Sequence, residues 1–284
     1  MSFQIGAITD EFSPDISLAV EAMREIGMTG AELRMVNGKN IMDLTDAELD
    51  SALAVIHGAG MKVISIASPV LKCTLPDAPP IDERFQQDVF AAKHSFEDQA
   101  KLAARAFEIA KRSGAKIVRV FSYWRVIDPS AVFERVVDAL QELSDRAAEH
   151  DLIIGLENEH ACNIATAHDT ARVLAAVDHE NLKVVWDPAN AYVSAEEPFP
   201  NGYRVLESNR IAHVHAKDCT LAAGHKPIWC PLGEGDIDWV GQFAALKADG
   251  YKGYIHLETH WPGPDGNKLE GSKICGRVLK KMAA

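Results

Sequence analysis

Residues 152–157 read LIIGLE, in which four apolar residues and a glycine run directly into the carboxylate of Glu157. A segment this apolar is expected to be buried, and burying a carboxylate is costly unless a partner compensates its charge. Three later apolar runs end in the same way, LKVVWD at Asp187, IAHVH at His215 and GYIHLE at Glu258. Four such endings indicate that the side chains serve a common purpose, which depends on how the segments are arranged in space.

Short apolar, β-branched runs of this kind alternate with longer amphipathic stretches along the whole chain. The runs predict eight strands, at residues 3–9, 30–34, 61–67, 116–121, 152–157, 182–187, 211–216 and 253–258. The helical period predicts helices at residues 14–27, 45–58, 96–113, 129–149, 166–178 and 236–249. The proline-containing stretch 68–93 predicts an elaborated loop that could serve as a lid.

Eight strands alternating with helices predict parallel pairing through right-handed crossovers. A chain of 284 residues then has two candidate α/β folds, a closed (β/α)8 barrel and an open doubly wound sheet. No GxGxxG follows the first strand, and no Pro/Gly/Ser-rich linker divides the chain. We therefore predict a single (β/α)8 TIM barrel domain over residues 1–284, with residues 265–282 as a C-terminal helical extension.

Composition and charge restrict the class of protein and its partners. The chain is 47% hydrophobic and 25% charged, which is typical of a globular domain, and its net charge of −12 disfavours binding to nucleic acid. No apolar run approaches the ~18 residues of a membrane span, and MSFQIGAITDEF lacks the basic start of a signal peptide. The five scattered cysteines contain no CxxC. They predict a cytoplasmic protein without a disulfide framework or a cysteine zinc site.

In a barrel, the four run endings would lie at the carboxyl ends of consecutive strands, where adjacent strands are ~4.8 Å apart. Three carboxylates cannot converge alone, because like charges oppose ionisation, but a divalent cation removes that objection. The set of Glu157, Asp187, His215 and Glu258 offers three oxygen donors and one imidazole. Oxygen ligands favour Mg²⁺ or Mn²⁺, and one nitrogen shifts the preference toward Mn²⁺, Co²⁺ or Zn²⁺. The predicted ion is Mn²⁺, although any one of these acids alone would more often be a helix cap or a salt-bridge partner.

The chain resembles the xylose isomerase-like TIM-barrel superfamily, which includes sugar phosphate isomerases and epimerases and AP endonuclease family 2. The resemblance covers essentially the whole chain and rests on GAITDEFSPD, AELR, ASPVLKC, VRVFSYWR, GLENEH, VWDPAN, HVHAKD, PLGEGDIDW and HLETH. It implies one divalent metal held by Glu157, Asp187, His215 and Glu258, with the two glutamates as acid/base groups. It leaves a homodimer or a homotetramer open.

The residues and the resemblance together predict a metal-dependent isomerase or epimerase of a small sugar or keto-sugar. Such reactions remove a proton from a carbon next to a carbonyl, and a metal bound to the substrate oxygens stabilises the resulting enediolate. One carboxylate takes the proton and a second returns it. Glu157 and Glu258, on the first and last strands of the set, are the predicted catalytic pair.

Eight further side chains, on the strands or on the loops that follow them, are predicted to contact the substrate. They are Lys72, Arg34, Trp124, Arg125, His160, Asn190, His213 and Lys217. Several have a plainer alternative. His213 could be a hydrogen-bonded core histidine, Lys217 could pair with Asp218, and Arg34 could pair with Glu32. Asn190 stands where some epimerase relatives place a histidine, which weighs against a ketohexose 3-epimerase.

Three other functions stay open at this point. A dehydratase or lyase of the same superfamily, acting on an inosose, 3-dehydroshikimate or a 3-keto-glycoside, would share the metal and the bases. An endonuclease IV-like phosphodiesterase would need a multi-zinc cluster with more histidines, and the acidic charge disfavours it. A non-catalytic sugar-binding module would have no need to keep all four ligands.

Overall fold

The computed structural model describes residues 2–85 and 94–284, and its main strands close into a parallel barrel. The barrel strands are β1 (Gln4–Ile8), β2 (Gly30–Leu33), β3 (Lys62–Ile66), β4 (Ile117–Val120), β5 (Ile153–Glu157), β6 (Leu182–Trp186), β7 (Ile211–Ala216) and β8 (Tyr254–Leu257). Each strand pairs in parallel with its neighbours in the sequence, and β8 closes onto β1. The predicted (β/α)8 barrel is confirmed, and every predicted strand boundary lies within one residue of the observed one.

Helices surround the barrel in the predicted alternation. They are α1 (Ile16–Ile26), α2 (Asp46–Gly58), α3 (Gln99–Ser113), α4 (Phe133–Ala148), α5 (Ala167–Val177), α6 (Pro188–Val193), α7 (Tyr203–Val205), α8 (Trp239–Ala248) and α9 (Lys268–Met282). Helix α9 is the predicted C-terminal extension, and it packs against α1. Within residues 2–85 and 94–284, no helix is long and apolar enough to cross a membrane.

The local sequence explains where the helices begin and which face they bury. Thr45 and Glu48 form a reciprocal capping box at the start of α2, which satisfies backbone N–H groups that the first turn leaves without partners. The predicted helix over 236–249 begins only at Trp239, because Asp238 caps it by accepting a hydrogen bond from the backbone of Gly241. The helix predicted over 129–149 begins with a 3₁₀ turn at Pro129–Val132, and the α-helix α4 follows it.

Two short antiparallel hairpins were not predicted from the sequence. One joins Met35–Val36 to Lys39–Asn40, and the other joins Asp218–Ala222 to Lys226–Cys230. Both project from the carboxyl ends of barrel strands, β2 and β7. They therefore add material beside the end of the barrel at which the four predicted ligands lie.

The predicted loop 68–93 is described only in part, because residues 86–93 lie outside the described residues. Its first part runs along the end of β4. The backbone N–H groups of residues 121, 123 and 124 donate to the carbonyls of Val70, Leu71 and Cys73. These bonds hold residues 70–73 against the barrel and place Lys72 beside its mouth.

Gly6 and Gly30, on adjacent strands, make room for an imidazole inside the barrel. A Cβ atom at Gly6 would lie 2.4 Å from His256 Nε2, and one at Gly30 would lie 2.7 Å from the same atom. Both distances are far shorter than a carbon–nitrogen contact allows. The absence of side chains at these two positions therefore lets the polar ring of His256 sit where a barrel usually packs branched apolar residues.

Candidate active site

The structure brings Glu157, Asp187, His215 and Glu258 together at the carboxyl ends of β5, β6, β7 and β8. One donor atom from each residue lies within 4.8 Å of the others, and all four residues are buried. His215 Nδ1 is 3.1 Å from Glu157 Oε1 and 3.4 Å from Glu258 Oε2. The convergence expected from the four run endings is therefore present in the fold.

Asp187 is placed by its position between β6 and α6. It caps α6, with Oδ1 accepting the backbone N–H of Asn190 at 2.9 Å, while its own N–H donates to Asn158 Oδ1 at 2.9 Å. The other oxygen, Oδ2, is buried and points into the cluster, where its charged neighbour is the ammonium group of Lys217. A divalent cation at the centre of the cluster would replace that ammonium group as its partner.

Lys217 supplies one positive charge to this cluster. Its Nζ lies 2.8 Å from Asp187 Oδ2 and 2.9 Å from Glu258 Oε2, and its side chain is only 2% exposed. The alternative of a Lys217–Asp218 pair is wrong. Asp218 instead accepts backbone N–H groups, including that of Gly233 at 2.8 Å.

Two arginines hold the glutamates from the sides. Arg119 Nη1 lies 3.0 Å from Glu157 Oε2, and Arg34 Nη1 lies 3.2 Å from Glu258 Oε1. A buried carboxylate becomes tolerable when an ion pair and hydrogen bonds replace its hydration. Arg119 and His215 thus explain how the apolar run LIIGLE can end in a charge.

The pKa values of the cluster reflect burial and neighbouring charges. Burial raises the pKa of Asp187 to about 6, with the charges of Glu258 and Glu157 adding to the rise. Burial alone would also raise the pKa of Glu258, but Lys217 and His215 outweigh it and hold that pKa well below its usual range. Glu258 is therefore ionised at neutral pH.

Burial would lower the pKa of His215, yet the surrounding carboxylates, led by that of Glu32, hold it well above the usual range. A protonated imidazole has no lone pair for a metal, so ion binding here must release a proton. Three carboxylates, including that of Asp187, and one imidazole form a donor set that fits a divalent cation.

A cavity of about 280 Å³ opens beside the cluster. Glu258 lies on its wall, together with three of the predicted substrate contacts, Arg34, Lys72 and His160. Two aromatic side chains, Phe121 and Trp229, also line it. Glu157 is not among the described lining residues, and it is only 1% exposed. The two glutamates therefore differ in their access to a bound molecule.

Arg34 pairs with the N-terminal acids rather than with Glu32. Its guanidinium donates to Asp10 Oδ2 at 2.8 and 3.0 Å and to Glu11 Oε1 at 2.6 Å. The alternative of an Arg34–Glu32 pair is therefore wrong. Glu32 points into the barrel, whereas Arg34 reaches the mouth of the cavity.

His160 is held by two neighbours on the cavity wall. Its Nδ1 lies 2.9 Å from Glu159 Oε1 and 2.9 Å from Asn190 Oδ1. Burial would lower the pKa of His160, but the carboxylate of Glu159 outweighs it and raises the pKa above the usual value. A protonated, positioned imidazole can donate a proton to a bound molecule.

The structure does not place the other five predicted substrate contacts on the cavity wall. His213 lies inside the barrel with Nε2 3.0 Å from Glu32 Oε2, which is its plainer alternative of a hydrogen-bonded core histidine. Asn190 links His160 to the backbone of Asn158, to which its amide donates at 2.9 Å. Lys217 is buried among the donor carboxylates.

The remaining two, Trp124 and Arg125, are half-buried beside the cavity. Arg125 stacks its guanidinium 4.1 Å from the ring centroid of Phe85, and Lys72 Nζ lies 5.5 Å from the Trp124 ring. The two side chains therefore support their neighbours. Neither side chain lines the described cavity, and their contact with substrate stays a prediction.

Sequence reasoning missed several residues of the site. They are Glu32, Arg119, Phe121, Glu159, Trp229 and His260. Arg119 interrupts the apolar run KIVRVF and Glu32 interrupts GAEL, which is the same signal that singled out Glu157. A charge within a buried strand, and not only at its end, could have identified both. Trp229 lies on the unpredicted hairpin and stacks on His260 with ring centroids 4.8 Å apart.

Comparisons with known proteins agree on the fold. A family model described as "Xylose isomerase-like TIM barrel" matches residues 20–277. An inosose dehydratase of Geobacillus thermodenitrificans is 25% identical over 211 residues, covering 64% of this chain and 70% of that protein. Inosose dehydratases of Lacticaseibacillus casei and Lactiplantibacillus plantarum match over only 50% and 54% of their length.

Two solved structures with similar folds cover nearly the whole chain. The IOLI protein, solved with a bound zinc atom, is 20% identical, with a TM-score of 0.75 and coverage of 99% of this chain and 96% of that one. The 3-keto-D-glucoside 4-epimerase of E. coli is 19% identical, with a TM-score of 0.69 and coverage of 98% and 99%. At these identities the likeness shows the shared fold.

Proposed function

Because the chain belongs to the xylose isomerase-like TIM barrel family, we propose that it enolises a small cyclic keto-sugar or keto-cyclitol and then eliminates water. The proposal rests mainly on Glu258, which belongs to the four-residue donor cluster and also lines the cavity. A substrate in the cavity would thus meet a cation and a base at the same point. The relatives named inosose dehydratase support this reaction class.

The proposed cofactor is one divalent ion held by Glu157, Asp187, His215 and Glu258, with Mn²⁺ as the proposed identity. Mg²⁺, Co²⁺ and Zn²⁺ suit the same donors, and a structural neighbour was solved with zinc. Such an ion supplies positive charge that stabilises the negative charge developing on a substrate carbonyl oxygen.

Glu258 is the proposed base. It is ionised because Lys217 and His215 hold its pKa well below the usual range, and it faces the cavity. It would take the proton from the carbon next to the carbonyl, and the electrons of that C–H bond would enter the enolate. Arg34, 3.2 Å from the other carboxylate oxygen, keeps the side chain oriented.

His160 is the proposed acid for the leaving group. As the enolate collapses to a C=C bond, the C–O bond on the next carbon breaks, and the hydroxyl departs as water with the proton from His160. Asn190 and Glu159 orient the ring, and Glu159 keeps its pKa raised. One base and one acid on the same wall suffice for elimination.

Isomerisation or epimerisation is the second candidate. It needs two groups that exchange protons with opposite faces of the substrate, and the candidates are Glu157 on β5 and Glu258 on β8, which both lie close to His215 Nδ1. A structural neighbour named as a keto-glucoside epimerase supports it. The burial of Glu157 behind Arg119 favours elimination, because only Glu258 reaches the described cavity wall.

The test incubates the Mn²⁺-loaded protein with each of three substrates, an inosose, 3-dehydroshikimate and a 3-keto-glucoside. The reaction is monitored by proton NMR in D₂O and by ultraviolet absorbance. We expect one of them to lose water and to give an absorbing enone. Glu258→Gln should slow turnover by ~10²–10⁴-fold, the range for loss of a positioned base. Calorimetry must confirm that this variant still binds the ion.

The variant His160→Gln separates the two steps. It should slow loss of water while deuterium still enters the substrate at the carbon next to the carbonyl. Exchange and inversion without loss of water in the wild-type protein would instead establish the epimerase. Turnover that does not depend on Glu258, or the lack of any divalent ion in the four-residue site, would overturn the proposal.

A further inference from the structure

Beneath the donor cluster, three imidazoles converge on one carboxylate oxygen inside the barrel. Glu32 Oε2 lies 3.0 Å from His213 Nε2, 3.0 Å from His215 Nε2 and 3.2 Å from His256 Nδ1. Its other oxygen accepts a hydrogen bond from Ser65 Oγ at 3.1 Å. All five residues are 0% exposed, so water cannot substitute for any of these contacts.

An ionised carboxylate only accepts hydrogen bonds, so each of the three facing nitrogens must carry a proton. This assigns the ring tautomers of His213 and His256 as Nε2–H and Nδ1–H. Their opposite nitrogens, His213 Nδ1 and His256 Nε2, have no hydrogen-bond partner among the described residues, as expected for the bare nitrogens of neutral imidazoles.

Glu32, His213 and His256 are close enough together to suggest a second metal site. The described hydrogen bonds already account for the group, because the imidazole nitrogens that face Glu32 donate to its carboxylate. The ring of His256 is also enclosed by Gly6 and Gly30, where even a Cβ atom would not fit. The cluster is better explained by what it does to His215.

We propose that Glu32 is a positioning residue for the metal centre, acting through His215. It accepts the Nε2–H of His215 and so leaves Nδ1 facing Glu157 and Glu258, 3.1 and 3.4 Å away, as the nitrogen that gives up its proton when an ion binds. Carboxylates that hold the far nitrogen of a ligand histidine in this way fix its orientation and raise its basicity. The inference rests on the proposed metal site.

The first test is calorimetric titration of the metal-free protein with Mn²⁺ and with Zn²⁺. Glu32→Gln should bind each ion ~10–100-fold more weakly than the wild type, the usual effect of losing such a partner. Ser65→Ala is the matched control, because it removes a contact to Glu32 but keeps the one to His215. It should stay within ~3-fold of the wild type, well below that range.

The second test needs no variant. In the Zn²⁺-loaded wild type, nitrogen NMR of the imidazole rings should show His215 protonated at Nε2 and bound to the ion through Nδ1. An ion bound through Nε2, or unchanged affinity in a Glu32→Gln protein whose circular dichroism is native, would overturn the inference alone. A wild type that binds neither ion would overturn it together with the proposed function. If Glu32→Gln does not fold, the ring NMR decides.

Discussion

Replacing Lys217 by methionine removes the cation at the centre of the donor cluster and nearly preserves side-chain volume. In the metal-free protein this change leaves the carboxylates of Asp187 and Glu258 without the ammonium group that lies 2.8 and 2.9 Å from them. We expect the free energy of unfolding to fall, because Asp187 and Glu258 are only 0% and 4% exposed and water cannot solvate their unpaired charges.

The size of the loss follows from the burial of the pair. Removing one partner of a buried ion pair typically costs about 3–5 kcal/mol. Unfolding entropy is about 2.1 cal/mol/K per residue, or roughly 0.6 kcal/mol/K for this chain, so the melting temperature should drop by about 5–8 °C. Lys39→Met is the matched control. Its ammonium also pairs with a glutamate, Glu48, but is 52% exposed, and exposed pairs contribute about 0–1 kcal/mol.

The assay is thermal unfolding with and without Mn²⁺. An ion at 100 times its Kd should stabilise the wild type by about 2.7 kcal/mol. Lys217→Met should gain more, because the ion no longer competes with an ammonium group for Asp187 and Glu258. A melting temperature for metal-free Lys217→Met equal to that of Lys39→Met, or a smaller gain on adding the ion, would refute the reasoning.

Three further predictions concern neighbouring features. Glu159→Gln should lower the pKa of His160 in an NMR titration, and an unchanged pKa would exclude Glu159 as the cause of the raised value. The stability that this pair contributes is fully present below the unfolded pKa of histidine. It is lost as pH rises through the raised pKa of His160 in the folded protein. Gly6→Ala should lower the free energy of unfolding, measured by chemical denaturation, by about 1–3 kcal/mol, since its Cβ would lie 2.4 Å from His256 Nε2. Gly58→Ala, at a helical position with open space around it, should be neutral or slightly stabilising. Equal stabilities of the two variants would contradict this prediction. Treatment with a chelator should lower the melting temperature of the Mn²⁺-loaded protein, and re-addition of Mn²⁺ should restore it, whereas a curve unaffected by the chelator would contradict the metal site.

The barrel was predictable from the sequence because its signal is local. Each buried strand is a short apolar run, and a parallel barrel places the ends of consecutive runs next to one another. The positions of Glu157, Asp187, His215 and Glu258 therefore followed from the runs alone. Their service as metal ligands, like the predicted Mn²⁺ and the isomerase or epimerase activity, stays a prediction that the experiments above test.

The rest of the site was not predictable because its contacts join distant segments. Arg34 meets Asp10 and Glu11 across a turn that the strand pattern does not describe, and Glu32 meets His256 across 224 residues. The hairpin that carries Trp229 has mixed polarity and little periodicity. In such cases the partner of a charge depends on the closure of the barrel, which no window along the chain contains.

The hairpin of Asp218–Ala222 and Lys226–Cys230 has a consequence for engineering. It is attached at its base, where the Asp218 carboxylate accepts the backbone N–H groups of Cys219, Gly233 and Ile237. Its outer strand brings Pro227 and Trp229 to the cavity, yet it supplies none of the four clustered donors. A different hairpin grafted between residues 219 and 233 would therefore change one wall of the cavity and leave the four donors at the ends of the barrel strands in place.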